Sequence, residues 1–252
     1  FSNPKLVKLY GDDQMPQTAD NLAKEYGITR EEADRFSAAS QTKYAAAKRD
    51  KFFEGEIAPY SIAQKKGDPV VVSEDEHPRP KSDVATLAAM KTLYEGGVVT
   101  AGNASGVNDG AAALVVGSLA VGEKAGVKPM VRVIASASAG VLPRIMGIGP
   151  VPASQKAMAR VGLSIKDMDL IEINEAFAVQ VLSCLKGLGV AFDDSRVNPN
   201  GGAIAVGHPL GASGARLALT AARQLQRTGG RYALVSLCIG GGQGMAVVLE
   251  RV

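Results

Sequence analysis

The sequence predicts an α/β protein with a layered sheet, and three observations carry that reading. From residue 128 onward, strand-like and helix-like stretches alternate. Residues 175–188 place Phe177, Val181 and Leu185 at i, i+4 and i+8, one face of a helix. Glycine clusters fall where strongly apolar runs begin or end, as at strand ends that carry a site.

The elements follow in order. Residues 1–16 read as irregular, broken by Pro4, Gly11 and Pro16. Thr18 caps an expected helix over 19–26 that Gly27 ends. Thr29 and Glu32 form a capping box for a helix to about Phe53, whose small-residue face calls for close packing. A short apolar run follows at 70–72. Residues 75–80 form a loop, because two prolines bar a helix, and His77 there is expected to be solvated. Ser82 or Asp83 caps a helix through about Tyr94, stopped by Gly96 and Gly97. A glycine-punctuated loop over 98–110 leads into 111–116, expected to be a buried strand, and then a helix near 118–125. A domain boundary is placed near residue 127. Beyond it come a strand over 130–138, a rigid loop over 147–152, a helix over 154–161, a capped turn at 164–167, a strand over 170–173, the helix over 175–188, another over 213–226, and strands over 232–238 and 245–249.

Composition narrows the function. The 252 residues suffice for one large or two modest domains, and 46% apolar with 21% charged is ordinary for a soluble globular protein. Net charge is +3 with the signs interspersed, and no basic tract carries interleaved aromatics, so nucleic acid is not the expected partner. No apolar run reaches membrane-spanning length. The two cysteines offer neither a disulfide framework nor zinc spacing, so no metal is expected and a reducing, cytoplasmic setting is. The chain opens at Phe1 without a leader-like segment and reads as a fragment.

Two stretches carry the chemistry. His208, one of two histidines, sits in a run from Asn198 to Arg216 with five glycines, and Cys238 opens another glycine run to Gly244. A rare proton-handling side chain in a permissive backbone suits acyl transfer, which needs a proton carrier and amide donors aimed at an oxyanion. A tight turn around His208 and a buried, inert Cys238 are the plainer alternatives. Nucleotide and serine-hydrolase patterns fail: Gly202 and Gly207 have P-loop spacing, but His208 and Pro209 stand where Lys and Ser/Thr are required, and no serine sits in G-x-S-x-G. Cys184 lies within the helix over 175–188 beside its apolar row and is expected to be core.

The motifs resemble a family. Asn174-Glu-Ala-Phe-Ala178, Gly207-His-Pro-Leu-Gly-Ala-Ser-Gly214 and Cys238-Ile-Gly-Gly-Gly-Gln-Gly244 resemble, in order and spacing, the three C-terminal signatures of thiolases. The loop from Thr100 to Gly110 is similar to the family's loop beside the coenzyme A pantetheine arm. The segment from Met15 to Ala23 is similar to β-ketoadipyl-CoA thiolase-like members, and Gln14-Met15-Pro16 stands where many biosynthetic members carry His-Met-Gly.

The resemblance implies a layered αβαβα fold, divided into a coenzyme A-binding loop domain over 1–107, the last segment of the N-terminal domain over 108–126 and the C-terminal domain over 127–252. It also implies thiolytic cleavage of a 3-oxoacyl-CoA by coenzyme A, or the reverse Claisen condensation, tilted towards degradation. In that reading His208 activates a nucleophilic cysteine, Cys238 is the acid/base at the α-carbon, and Asn174 holds a water that forms one oxyanion hole with His208. The Gly240 amide serves the other. Glu175 orients the site, Ser105 meets the pantetheine, Arg79 meets the nucleotide phosphates, and Met146, Ala176 and Phe177 wall the acyl and pantetheine tunnel. Cys238 then needs surroundings that favour its thiolate. Coenzyme A is a substrate and no bound cofactor is implied; family members are homodimers or homotetramers. The family's nucleophile lies in a Cys-Ser/Ala-Ser-Gly-like motif that this sequence lacks, so the chain corresponds to the later two-thirds of a thiolase, with most of the N-terminal domain missing and no turnover expected of it alone. A non-catalytic acyl-CoA- or lipid-binding relative is the alternative; a ketoacyl synthase-like enzyme, with two histidines, fits least.

Overall fold

The computed structural model describes residues 3–252. Its first helices are α1 (Pro4–Tyr10), α2 (Met15–Tyr26) and α3 (Arg30–Arg49). Within the stretch expected to be irregular, residues 4–10 and 15–16 are thus helical, and Phe1 and Ser2 lie outside the described residues. Asn3 accepts from the Lys5 amide and Pro4 sits in the first turn, where its missing N–H costs nothing. Gln14 and Gln17 cap α2 reciprocally, so it starts before Thr18, and Gly27 ends it in the left-handed region as expected. The Thr29–Glu32 capping box is present. Helix α3 stops at Arg49, because Lys51 adopts a φ of 59°.

Strands β1 (Tyr60–Ile62) and β2 (Val70–Val72) make an exposed antiparallel hairpin. Helix α4 (Val84–Ala88) is capped by Asp83 but ends well before Tyr94, since Leu93 donates to the Val99 carbonyl and Thr92 pairs with Thr100. Residues 111–116 correct the sequence reading: they form no strand, and Val115 is fully exposed. They pair with none of the described strands.

After α5 (Leu119–Lys124), strand β3 (Val131–Gly140) opens a four-stranded mixed sheet. A 3-10 turn (Pro143–Ile148) and α6 (Pro150–Ala159) replace the expected rigid loop, because Pro150 is compatible with a first helical turn. Then come β4 (Leu170–Ile173), α7 (Ala178–Leu188), α8 (Ala203–Val206), α9 (Ser213–Thr228), β5 (Tyr232–Ile239) and β6 (Gln243–Arg251). The strand order is β3-β6-β5-β4, with β4 and β5 parallel and β6 antiparallel to both its neighbours.

Helices cover both faces of the sheet. On one side α6 and α7 lie over the larger core, with Leu182, Leu185, Ile171, Ile173 and Val248 buried in it, and α2 packs on the far side of α7. On the other, α9 buries Leu217, Ala221 and Leu225 against Leu170, Val235 and Leu249. Alternation along β4 therefore turns Leu170 and Glu172 towards α9 and Ile171 and Ile173 the other way. Close approach fixes one corner: a Cβ on Gly244 would stand 2.0 Å from the Gly149 carbonyl carbon, so β6 can meet the start of α6 only as glycine.

Candidate active site

The site forms where parallel β4 and β5 end side by side. Ile173 pairs with Ser236, and the Asn174 amide donates to the Ser236 carbonyl at 2.9 Å. Residues 174–177 then stay extended instead of starting the helix. The loop over 100–110 clamps them: Ser105 N donates to Ala176 O, Ala178 N donates to Asn103 O, and Ala104 pairs with Phe177. Phe177, not Asn174, occupies the position before α7. Asn174 therefore caps no helix, and its side chain is wholly buried.

Asn198 anchors the strand end from below, accepting from Ile173 N and donating to Ile173 O and Glu175 Oε1. Buried Glu175 also accepts from Ser40 Oγ at 2.7 Å and from the Ile204 amide at 3.1 Å, tying α3 and α8 to this segment.

His208 follows Gly207, whose φ of 91° turns the chain after α8. Its amide donates to Gly106 O and Asn108 Oδ1, and Val107 pairs with it. On the ring, Nε2 lies 3.2 Å from Asn174 Nδ2 and Nδ1 lies 2.6 Å from Ser213 Oγ. Burial, followed by the nearby Arg216 charge, holds His208 below the ordinary histidine value, so it is neutral at pH 7.

Cys238, near the end of β5, packs with Met146, Ala176 and the partly buried Phe177. Two of these are the residues after Asn174 and Glu175, so the His208–Asn174 pair and the Cys238 cluster are continuous. Burial pushes the Cys238 thiol up to about 12, against the thiolate-favouring surroundings the sequence reading called for. Gly240 lies in the exposed turn between β5 and β6.

Other expected residues lie at the rim. The Ser105 hydroxyl donates to Ala176 O at 3.2 Å and so braces the wall. A cleft of about 560 Å³ opens beside it, lined by Gln41, His77, Arg79, Thr86, Met90 and Ala104 among others. Arg79 is exposed there, its guanidinium donating to the carbonyls of Glu76, His77 and Pro78. His77 is half-buried, which corrects the solvated-loop expectation: it packs against Gly106 with Nδ1 3.5 Å from Asn108 Nδ2. Cys184 is core, as expected, its thiol donating to Gly147 O while burial holds it protonated.

Sequence reasoning passed over Ser213, Asn108, Asn198 and Glu172. Only Ser213 carried a local signal, a serine at the start of a helix five residues after the rare histidine.

The family pattern described as the thiolase N-terminal domain matches residues 2–119, and that of the thiolase C-terminal domain matches residues 127–251. The chain belongs to the thiolase family. It is 53% identical, over its whole length, to a β-ketoadipyl-CoA thiolase of Acinetobacter baylyi, of which it covers 63%. Among solved structures, an acetyl-CoA acetyltransferase of Bacillus anthracis superposes with a TM-score of 0.91 at 42% identity, over 95% of this chain and 60% of that one. Human mitochondrial 3-ketoacyl-CoA thiolase in complex with CoA superposes with a TM-score of 0.85 at 41% identity, over 94% of this chain and 59% of that one. The thiolase fold expected from the motifs is therefore the fold of this chain, which spans just under two-thirds of the length of these relatives. No described helix of this thiolase chain is long and apolar enough to cross a membrane.

Proposed function

We propose that this chain is the larger part of an acetyl-CoA C-acyltransferase that cleaves a 3-oxoacyl-CoA with coenzyme A, and that runs the reverse condensation of acetyl-CoA. The observation that supports the proposal is that the segment after β4 serves both groups: its Asn174 amide contacts the His208 ring, while its Ala176 and Phe177 pack on Cys238 near the end of β5.

In the cleavage direction, His208 takes the proton of a cysteine nucleophile supplied outside these 252 residues. The thiolate attacks the 3-oxo carbon, and the C2–C3 bond breaks with its electron pair passing to the acyl-CoA enolate. His208 and the water on Asn174 stabilise one developing oxyanion, and the Gly240 amide helps at the other. Cys238, a thiol at rest, gives its proton to the enolate carbon and later takes one from incoming coenzyme A. Its raised pKa suits that first task.

Met146, Ala176 and Phe177 would line the path of the acyl group. Ser105 and Arg79 would border the coenzyme A arm, with the neighbouring cleft receiving it. Likeness to β-ketoadipyl-CoA thiolases favours 3-oxoadipyl-CoA as substrate. Coenzyme A enters as substrate without a bound cofactor, and a cytoplasmic homodimer or homotetramer completes the proposal.

The test is thiolysis of 3-oxoadipyl-CoA by the natural gene product. Cys238→Ala is expected to abolish turnover while leaving the protein folded; ordinary turnover in that variant would overturn the assignment.

A further inference from the structure

We infer that Ser213 is a positioning residue that holds His208 as the Nδ1–H tautomer and so leaves Nε2, which accepts from Asn174, as the basic nitrogen of the ring. The inference rests on the reading of His208 as the proton-handling group and adds the residue that makes it a base.

Two contacts on opposite sides of the ring argue for the same tautomer. Ser213 is wholly buried and is the first residue of α9. Its hydroxyl donates to the Pro209 carbonyl at 2.9 Å, leaving the oxygen to accept. That oxygen stands 2.6 Å from His208 Nδ1, so the ring nitrogen is the donor. On the other side, the Asn174 Nδ2 amide 3.2 Å from Nε2 can only donate, and a proton on Nε2 would face two donors to each other. The hydrogen bonds run one way: Asn174 to Nε2, Nδ1 to Ser213, and Ser213 to Pro209. In a neutral imidazole, the partner of one nitrogen decides which nitrogen is the base.

The surroundings keep this arrangement in place. The His208 backbone is pinned to Gly106 and Asn108, so the ring cannot swing away as a whole. Arg216 lies on α9 one turn beyond Ser213, and its charge opposes an imidazolium. An Nε2–H tautomer could not take a proton from a thiol through Nε2. Without the Ser213 acceptor, no other hydrogen bond among the described residues holds the proton on Nδ1.

The experiment is nitrogen-15 NMR of the histidine rings in the natural gene product at pH 7.5. Loss of one signal set in His208→Gln assigns His208. The wild-type His208 pattern is expected to be that of Nδ1–H, and Ser213→Ala is expected to shift it to Nε2–H or to a mixture. A wild-type Nε2–H pattern, or an unchanged Nδ1–H pattern in folded Ser213→Ala, overturns the inference. Should the variant not fold, the wild-type spectrum still decides.

In the natural gene product, Ser213→Ala should lower kcat roughly tenfold or more with KM within about twofold, as expected for one lost orienting hydrogen bond. Unchanged kcat despite a changed tautomer would refute the catalytic consequence. The spectrum needs no turnover, so an Nδ1–H pattern in a protein without thiolysis would sink the proposed function and leave the tautomer assignment standing.

Discussion

Glu172 offers a direct measurement of how dry the base of this site is. It is wholly buried on β4 facing α9, and neither carboxylate oxygen has a hydrogen-bond partner. Burial is the main cause that lifts its pKa from 4.5 to about 8; Glu175 and Glu56 push the same way, and Arg216 and Lys43 oppose. The folded protein therefore holds a proton that the unfolded chain releases. Stability from this group is full below pH 4.5 and falls as pH rises through about 8. Each pH unit between is worth about 1.4 kcal/mol, so full ionisation costs the fold roughly 5 kcal/mol, an order-of-magnitude figure for a buried group. Glu172→Gln removes the titration and keeps the shape. Urea unfolding of both proteins from pH 4.5 to 8.5 should show the variant gaining steadily on the wild type, with most of the gain above pH 6. Parallel stability profiles would refute the reasoning and mean that Glu172 is ionised and solvated or paired in the folded state.

Further expectations follow from the same geometry. In the natural gene product, Asn174→Ala should lower kcat by on the order of 10²–10³-fold, as for loss of an oxyanion-hole donor, with steady-state thiolysis as the assay and a loss under threefold as the contrary result. Because His208 lies below the ordinary histidine value of 6.5 and Arg216 contributes to that, the acid limb of kcat/KM should fall below pH 6.5 and move up in Arg216→Met; an unmoved limb would exclude Arg216 as a cause. Gly244→Ala forces a Cβ against Gly149 and should cost about 1–3 kcal/mol in urea unfolding. Native-state alkylation by iodoacetamide at pH 8 should be slow at both cysteines, since burial holds each thiol protonated; rapid labelling of Cys184 would contradict its packing.

Local signals were legible and long-range ones were not. The Thr29–Glu32 box, Gly27 as a stop and the β5–β6 hairpin all lie within a few residues of their cause. The segment 174–177 deceived because its extended form is imposed by Asn103 and Ser105, some seventy residues earlier in the chain. The apolar run over 111–116 read as buried, yet burial depends on a neighbouring strand that the run does not encode. Glu172 interrupts an apolar strand, a pattern that suggests a solvent face, but α9 closes over it. For the site, rarity singled out His208 and Cys238, while His77 looked isolated because its partner Asn108 is 31 positions away. The chemistry of each motif residue follows from the family resemblance; the ring contacts of His208 follow only from the fold, which brings Asn174, 34 positions away, against it.

The clamp between the loop over 100–110 and the two motif segments has a consequence for engineering. Ala104 is zipped to Phe177, Val107 to His208, and Asn108 to the His208 amide, so one short ribbon touches both motifs at defined positions. The loop is therefore not an interchangeable cassette. A chimera that imports it from a relative with one residue more or fewer between Ala104 and Asn108 would misalign both motifs together, and restoring it would require exchanging three stretches, widely separated in the gene, as a single unit.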